Sequence, residues 1–306
     1  MKIYLSKINE SWIVDRIRED WYKNNKNIST KFAYNSDIIW IISPWTWKKI
    51  PIKYLNKKYV VCSIYHINED KFSDKLRNEF SERDKYVDFY HTISFKSKAQ
   101  IEEYTNKKVT SIPFWIDPKI WFHKTNKIEL RKKYGFSKSD YLVGSFQRDT
   151  EGYDLKTPKL EKGPDIFINN VIELKKVQQN LVVVLTGKRR QYVISRLKNL
   201  NIKYKYFEMV DQKTLNDLYN SLDLYIVSSR VEGGPQSIME SAITKTPIVS
   251  TDVGIASEIL SEKSIYNNNF YQAKPDVEFA YMNSLKYHIP EGMDNFVKYF
   301  KNIYEN

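Results

Sequence analysis

Two glutamates eight positions apart, Glu232 and Glu240, flank the run Gly233-Gly234-Pro235-Gln236-Ser237. Carboxylates hold hydroxyl groups, and glycines followed by proline suit the opening of a helix, with Pro235 expected at its first position. The first N–H groups of such a helix lack intrahelical acceptors and attract an anion. Helical side chains lean toward the helix N-terminus, so Glu240, about one and a half turns in, can serve the same ligand as Glu232. Hydroxyls and an anion held at one place point to a ligand that carries both, such as a sugar nucleotide.

Further candidates follow two other apolar runs. After residues 141–146, which contain Gly144, come Gln147 and Arg148, and then a loop leading to Glu161-Lys162-Gly163. After residues 181–186 come Gly187, Lys188, Arg189 and Arg190. Three cations at a helix start oppose its dipole at roughly 0.3–1 kcal/mol each unless an anion is near. A solvated basic turn is the plain alternative there.

These residues need a scaffold that gathers strand ends. Short apolar runs alternate with helical patterns along the whole chain, which predicts parallel sheets covered by helices. Expected strands are 2–5, 38–42, 59–65, 91–95 and 109–113 in the first half, and 141–146, 181–186, 203–207, 224–228 and 247–251 in the second. Expected helices are 12–23, 70–85 and 96–104, then 165–176, 192–199, 212–221, 237–243 and 256–260. Phe72, Leu76 and Phe80 form an apolar stripe on the second of these. In an open parallel sheet, ligands bind at the carboxyl ends of the strands, where every candidate above lies or nearly so. The polar stretch 124–140 divides the chain into domains 1–137 and 138–292. Residues 293–306 form a last helix whose Phe296, Tyr299, Phe300 and Ile303 share one face and must dock, with the first domain as the expected partner.

Composition excludes some classes. With 306 residues, 42% of them hydrophobic, the chain can bury a sizeable core, and disorder is excluded. The formal charge of +12 invites nucleic acid or an anionic membrane surface. Cut after Ser137, the first part holds 27 basic and 16 acidic residues and the second 22 and 21, so the excess is assigned to the first part, and with it an anionic acceptor or membrane surface. Residues 47–58 interleave lysines with aromatics as a nucleic-acid site would, but that reading leaves the ordered motifs of the second half unexplained, and no nucleic acid is expected. The lone cysteine, Cys62, sits in an apolar run as a core thiol. No metal-ligand pattern and no G-x-G-x-x-G fingerprint is present. No membrane span or signal peptide is recognisable, so a cytoplasmic protein, peripheral at the membrane at most, is expected.

The spacing of Glu232 and Glu240 resembles the E-x-x-x-x-x-x-x-E signature of family 4 retaining glycosyltransferases, which have the GT-B fold. The run from Glu240 through Pro247 to Gly254 is similar to that family's continuation, and Gly144 to Lys162-Gly163 resembles its G-x-x-x-x-x-K-G phosphate region with a longer loop. In the first half, Val60 to His66 and Ser111-Ile112-Pro113 to Asp117 resemble a strand ending in a donor-sugar histidine and a linker segment. The glycine-rich loop usual after the first strand is missing, and the N-terminal domain is short for the family.

The resemblance implies two Rossmann-like α/β domains with parallel sheets facing across a cleft, the first handling the acceptor and the second binding the nucleotide sugar. It implies transfer of a sugar from a nucleoside diphosphate sugar to a glycan, lipid-linked or other hydroxyl acceptor, with retention of configuration and without a metal or other cofactor. Arg148 and Lys162 would stabilise the leaving diphosphate, with Lys156 and Lys159 on the long loop as alternative cations. Glu232 and His66 would contact the donor sugar, and Glu240 the ribose. Amides around Gly233 and Gly234, with Pro235, Gln236 and Ser237, and residues Gly187, Lys188, Met209 and Val210 would line the nucleotide. A non-catalytic sugar-nucleotide-binding relative is the alternative. Trp40, Trp45 and Trp47 are candidates for an acceptor platform, with core packing expected for at least two.

Overall fold

The computed structural model describes residues 1–8, 13–267 and 270–305; Trp12 and Asn306, expected in the first and last helices, lie outside them. The chain divides into two units, Met1–Trp115 with Ile289–Asn306, and Ile116–His288.

Unit 1 holds β1 (Ile3–Leu5), β2 (Ser29–Thr30), β3 (Ile38–Ile41), β4 (Tyr59–Ser63), β5 (Phe89–Thr92) and β6 (Lys108–Ser111). They form one parallel sheet in the order β2-β1-β3-β4-β5-β6. All four residues of β3 are buried, as expected of a parallel strand covered on both faces. The helices are α1 (Ile13–Asn24), α2 (Ile52–Leu55), α3 (Asp74–Asp84) and α4 (Phe95–Glu102). Strand β5 begins two residues before the expected 91–95 and stops early, because Ser94 accepts the Ser97 N–H at 3.1 Å and opens α4. Only Phe80 of the expected stripe on α3 is buried; Leu76 is 42% exposed, and Phe72 packs edge-on against Tyr104. Cys62 is buried in the sheet core, and burial pushes its thiol up to about 11.

Unit 2 opens with α5 (Lys127–Lys133) and β7 (Tyr141–Ser145), followed by an antiparallel hairpin of β8 (Thr150–Glu151) and β9 (Thr157–Pro158). The alternation then runs α6 (Pro164–Val177), β10 (Leu181–Thr186), α7 (Gln191–Asn199), β11 (Tyr204–Phe207), α8 (Gln212–Ser221), β12 (Leu224–Val227), α9 (Gln236–Ile243) and β13 (Ile248–Thr251). It closes with α10 (Ala256–Ile259), β14 (Ile265–Tyr266) and α11 (Val277–Ser284). The parallel sheet has the order β11-β10-β7-β12-β13-β14. The chain returns to unit 1 through α12 (Glu291–Glu305), whose Phe296 stacks on Trp40 at 5.3 Å and on Phe114 at 5.6 Å. Phe300, Tyr299 and Ile303 are buried in the same cluster with Trp21 and Trp115.

The division after Trp115 lies well before Ser137, and ion pairs explain why. Asp217 on α8 accepts bonds from Lys124 Nζ at 2.5 Å, Lys133 Nζ at 2.7 Å and the Tyr134 hydroxyl at 2.8 Å. Asp223 takes Arg131 Nη2 at 2.5 Å and Lys127 Nζ at 2.9 Å. Burial raises the Asp217 carboxyl, but these lysine bonds outweigh it and hold the group below its usual range. The basic stretch read as an interdomain boundary is therefore bound inside unit 2. Counted by unit, the charges are 23 basic and 17 acidic against 26 and 20, an excess of six in each. The asymmetry obtained by cutting at Ser137 disappears.

Candidate functional site

In unit 2 the chain leaves β7 toward β10 and β11 on one side, and leaves β12 toward β13 and β14 on the other. Neighbouring strands whose connections part in this way leave a crevice at their carboxyl ends, the usual ligand position in such sheets. The segments following β7 and β12 carry Arg148 and Lys162, and Glu232, respectively.

Three loops meet there with tight backbone contact. Gly163, at φ +56°, lies so close to β12's exit that an added Cβ would fall 1.8 Å from the Ser228 carbonyl oxygen. Gln147 donates through Nε2 to the Lys162 carbonyl at 2.9 Å, while its Oε1 accepts the Ser229 hydroxyl at 3.2 Å. The N–H groups of Arg230 and Val231 donate to the Glu161 carbonyl at 2.8 and 3.1 Å, and the Arg230 guanidinium forks onto Asp165 at 2.8 and 2.6 Å. The result places the Lys162 ammonium against the Glu232 carboxylate. On the far side of this turn, Gly254 at φ +51° would clash with the Gly233 carbonyl oxygen at 2.3 Å if it carried a Cβ. The glycines that need a left-handed backbone here are thus Gly163 and Gly254; Gly233 and Gly234 are not at positive φ.

Helix α9 starts at Gln236, one residue before the expected 237, and Pro235, expected at the first helical position, is instead the N-cap. Proline offers no side-chain cap, so the first amides of the helix have no N-cap side chain to accept from them. Glu240 is 5% exposed, and its Oε2 accepts the Tyr219 hydroxyl at 2.9 Å. The neighbouring Tyr225 hydroxyl accepts the Phe146 N–H at 3.0 Å and lies within hydrogen-bonding reach of Ser237. Burial, reinforced by Tyr225 and Glu240, pushes the Tyr219 hydroxyl far above its usual range, so this tyrosine stays a neutral donor that orients Glu240.

The cations sort themselves. Burial lowers the Lys159 ammonium, and the nearby charges of Lys162 and Arg148 lower it further, whereas Glu161 and Glu151 act the other way. Arg148, Lys159 and Lys162 are therefore electrostatic neighbours, while Lys156 stands exposed on the β8–β9 hairpin. Arg148 is tethered by Nε to the Thr150 carbonyl at 3.0 Å. After β10, Lys188 is exposed and Arg189 reaches the Gly152 carbonyl at 3.1 Å, but Arg190 is fully buried. Its Nε donates to Asp149 Oδ2 at 2.5 Å, its Nη1 to the Thr186 carbonyl at 2.8 Å and to the Ser145 carbonyl. The anion that the three cations required is Asp149, which a sequence cannot pair with a residue 41 positions away.

Gly144 serves packing, since Leu222 Cδ1 would lie 2.3 Å from a Cβ there. Gly187, at φ +88°, opens onto free space after β10. Met209 is 53% exposed and Val210 half-buried beyond β11, at the carboxyl edge of the sheet. His66 belongs to unit 1, three residues beyond β4, and Trp40 and Trp47 are core while Trp45 is 49% exposed. Among the described residues, no three His, Cys, Asp or Glu side chains group as a metal site would.

The chain has counterparts among known proteins. Residues 155–281 match the glycosyl transferases group 1 family. The matched segment contains Lys162, Glu232, Glu240 and all of α9. Lipopolysaccharide core biosynthesis mannosyltransferase LpsB of Rhizobium meliloti (strain 1021) is 24% identical over 159 residues, 50% of this chain and 43% of its own length. O-antigen chain mannosyltransferase RfbU of Salmonella typhimurium is 24% identical over 283 residues, 86% of this chain and 74% of its own. The chain thus spans less than half the length of the first relative and about three quarters of the second. A crystal structure of Anabaena Alr3699/HepE in complex with UDP and glucose superposes with a TM-score of 0.77 over 99% of this chain and 100% of that one, at 12% identity. Two parallel-sheet Rossmann-like units in one chain, superposing on that structure over nearly its whole length, give it the α/β GT-B fold.

Proposed function

We propose that this protein transfers a sugar from a nucleoside diphosphate sugar to a hydroxyl of a glycan or lipid-linked acceptor, with retention of configuration and without a metal. The observation that carries the reading is the Lys162–Glu232 contact at the switch point of unit 2, set beside Arg148, Lys159 and the uncapped amides of α9. The largest charge to develop is on the departing diphosphate, and fixed cations and amides stabilise such charge most effectively because they need no reorganisation. In this reading, Arg148, Lys159 and Lys162 take the phosphates, the Gln236 and Ser237 amides add dipoles, and Glu240, aimed by Tyr219, holds the ribose hydroxyls. Glu232 releases Lys162 to the diphosphate and accepts hydroxyls of the donor sugar. The role of His66 toward that sugar rests on the family resemblance alone. Mannosyltransferase relatives and a neighbour crystallised with UDP and glucose support a hexose donor.

The direct test is a thermal-shift screen with UDP, GDP, ADP and their hexose conjugates, followed by measurement of slow donor hydrolysis. One nucleoside diphosphate should raise the melting temperature, since ligand binding to the folded state adds RT ln(1 + [L]/Kd). Its sugar conjugate should be hydrolysed. Tight binding with no turnover would replace transfer by a binding role, and no binding at all would overturn the reading.

A further inference from the structure

Lys162 and Glu232 stand 70 positions apart in the chain, so their contact depends on what holds the turn before α6 against the segment after β12. One residue grips that turn on both sides of Lys162. The Arg230 N–H donates to the Glu161 carbonyl at 2.8 Å and its Nη1 to the Leu160 carbonyl at 3.0 Å, while Nη1 and Nη2 fork onto the two oxygens of Asp165 at 2.8 and 2.6 Å. Lys162 and Gly163 lie between these anchors, and Glu232 follows shortly after Arg230. The residue before Arg230 is itself braced, since the Ser229 carbonyl accepts the Thr251 hydroxyl at 2.6 Å and the Ser229 hydroxyl donates to Gln147 Oε1 at 3.2 Å.

The fork is a poor device for stability. Its side chains are 42% and 35% exposed, and water and salt weaken ion pairs at such exposure. It is a better device for alignment, because a planar guanidinium that meets a carboxylate at two points fixes direction as well as distance. Asp165 belongs to the first turn of α6, a helix of 14 residues, so the grip refers the Lys162 turn to a long regular element. Small errors matter at such a place: misplacing a reacting group by about 1 Å can cost roughly 100-fold in rate.

We propose that the Arg230–Asp165 fork is a positioning pair that holds the Lys162 ammonium in register with Glu232 and with the diphosphate of a nucleoside diphosphate sugar. The inference rests on the reading of unit 2 as the donor site, and neither member of the pair is assigned a contact with the ligand.

The test is donor hydrolysis and nucleoside diphosphate binding by R230M and D165N in the full chain. These substitutions change the net charge in opposite directions. A pair acting through its field would make R230M handle the anionic donor worse and D165N better. Loss of alignment instead lowers kcat in both, by roughly 10–100-fold, with a smaller change in donor KM. R230K, which keeps the charge but lacks the planar fork, should recover only part of the loss. In a Lys162→Ala background neither substitution should lower turnover further, because the pair acts through Lys162. The melting temperature should fall by no more than about 4 °C, as expected for an exposed pair. K176M, which breaks the exposed pair with Glu173 at the other end of α6, should behave as the unaltered chain does. Unchanged turnover in R230M and D165N, opposite effects of the two, full recovery in R230K, or additive losses with Lys162→Ala would each overturn the positioning role while leaving the donor-site reading intact. An unaltered chain that neither binds nor hydrolyses any donor would overturn both.

Discussion

The Cα of Gly163 packs against the Ser228 carbonyl, leaving no room for a side chain: a Cβ would stand 1.8 Å from that oxygen. This contact brings the Lys162 turn up to the exit of β12 and lets Lys162 reach Glu232. Because Gly163 also sits at φ +56°, Gly163→Ala combines a left-handed backbone, costing roughly 1–2 kcal/mol, with a clash against backbone. We expect the variant to lose about 2–4 kcal/mol of stability in urea unfolding and to weaken nucleotide binding. Unchanged values of both would remove the contact from the account.

Lys162→Ala should lower turnover by roughly 10²–10³-fold if the ammonium stabilises the leaving diphosphate. Glu232→Gln should act differently, keeping nucleoside diphosphate affinity while lowering turnover of the sugar conjugate, since Lys162 then loses its internal partner but not its charge. Equal kinetics for wild type and Lys162→Ala would contradict the role. Chelation by EDTA is expected to leave turnover unchanged; activity lost to EDTA and restored by magnesium would end the metal-independent reading.

Arg190 and Asp149 form an ion pair whose side chains are 0% and 2% exposed, tying the exits of β7 and β10 together beneath Arg148. Removing one partner leaves a buried charge, so Arg190→Met alone should cost about 3–5 kcal/mol. The double variant with Asp149→Asn should recover part of that loss, which a double-mutant cycle by chemical denaturation would measure. Additive losses would show that the two side chains are not coupled.

His91 is fully buried between Trp40 and Phe296, its Nδ1 2.8 Å from the Ser63 hydroxyl and its Nε2 2.9 Å from the Ile112 carbonyl. Only a carbonyl acceptor lies at Nε2, so that nitrogen carries the proton and Nδ1 accepts from Ser63. Burial pushes the imidazole down to about 4 from 6.5. Between those values the unfolded chain binds the proton and the folded one does not, so stability is complete above pH 6.5 and falls as pH drops toward 4. The loss amounts to about 3 kcal/mol. Urea unfolding at pH 7 and pH 4.5 should show it, and His91→Gln, which keeps a donor and an acceptor without titrating, should flatten that part of the profile. An unaltered profile in His91→Gln would place the effect elsewhere.

Much of this was legible in the chain itself. Fully buried parallel strands are written as unbroken apolar runs, so β3, β7, β10, β12 and β13 could be located within a residue or two. Local order also marked the site: Glu232 through Glu240 closely follow β12, and Glu161-Lys162-Gly163 stand just before α6 at the end of the longer connection from β7. Two-residue strands such as β2 and β14 left no such trace, since their pairing depends on neighbours distant in sequence.

The sequence by itself therefore determined the α/β alternation, the loop positions and the residue types available for a phosphate-bearing, hydroxylated ligand. Tertiary structure alone decided which charges meet. Lys124, Lys127 and Lys133 are paired with Asp217 and Asp223 within unit 2, and Arg190 is paired with Asp149 instead of being offered to a ligand. Electrostatic energy depends on distance and burial, and neither is a property of position along a chain.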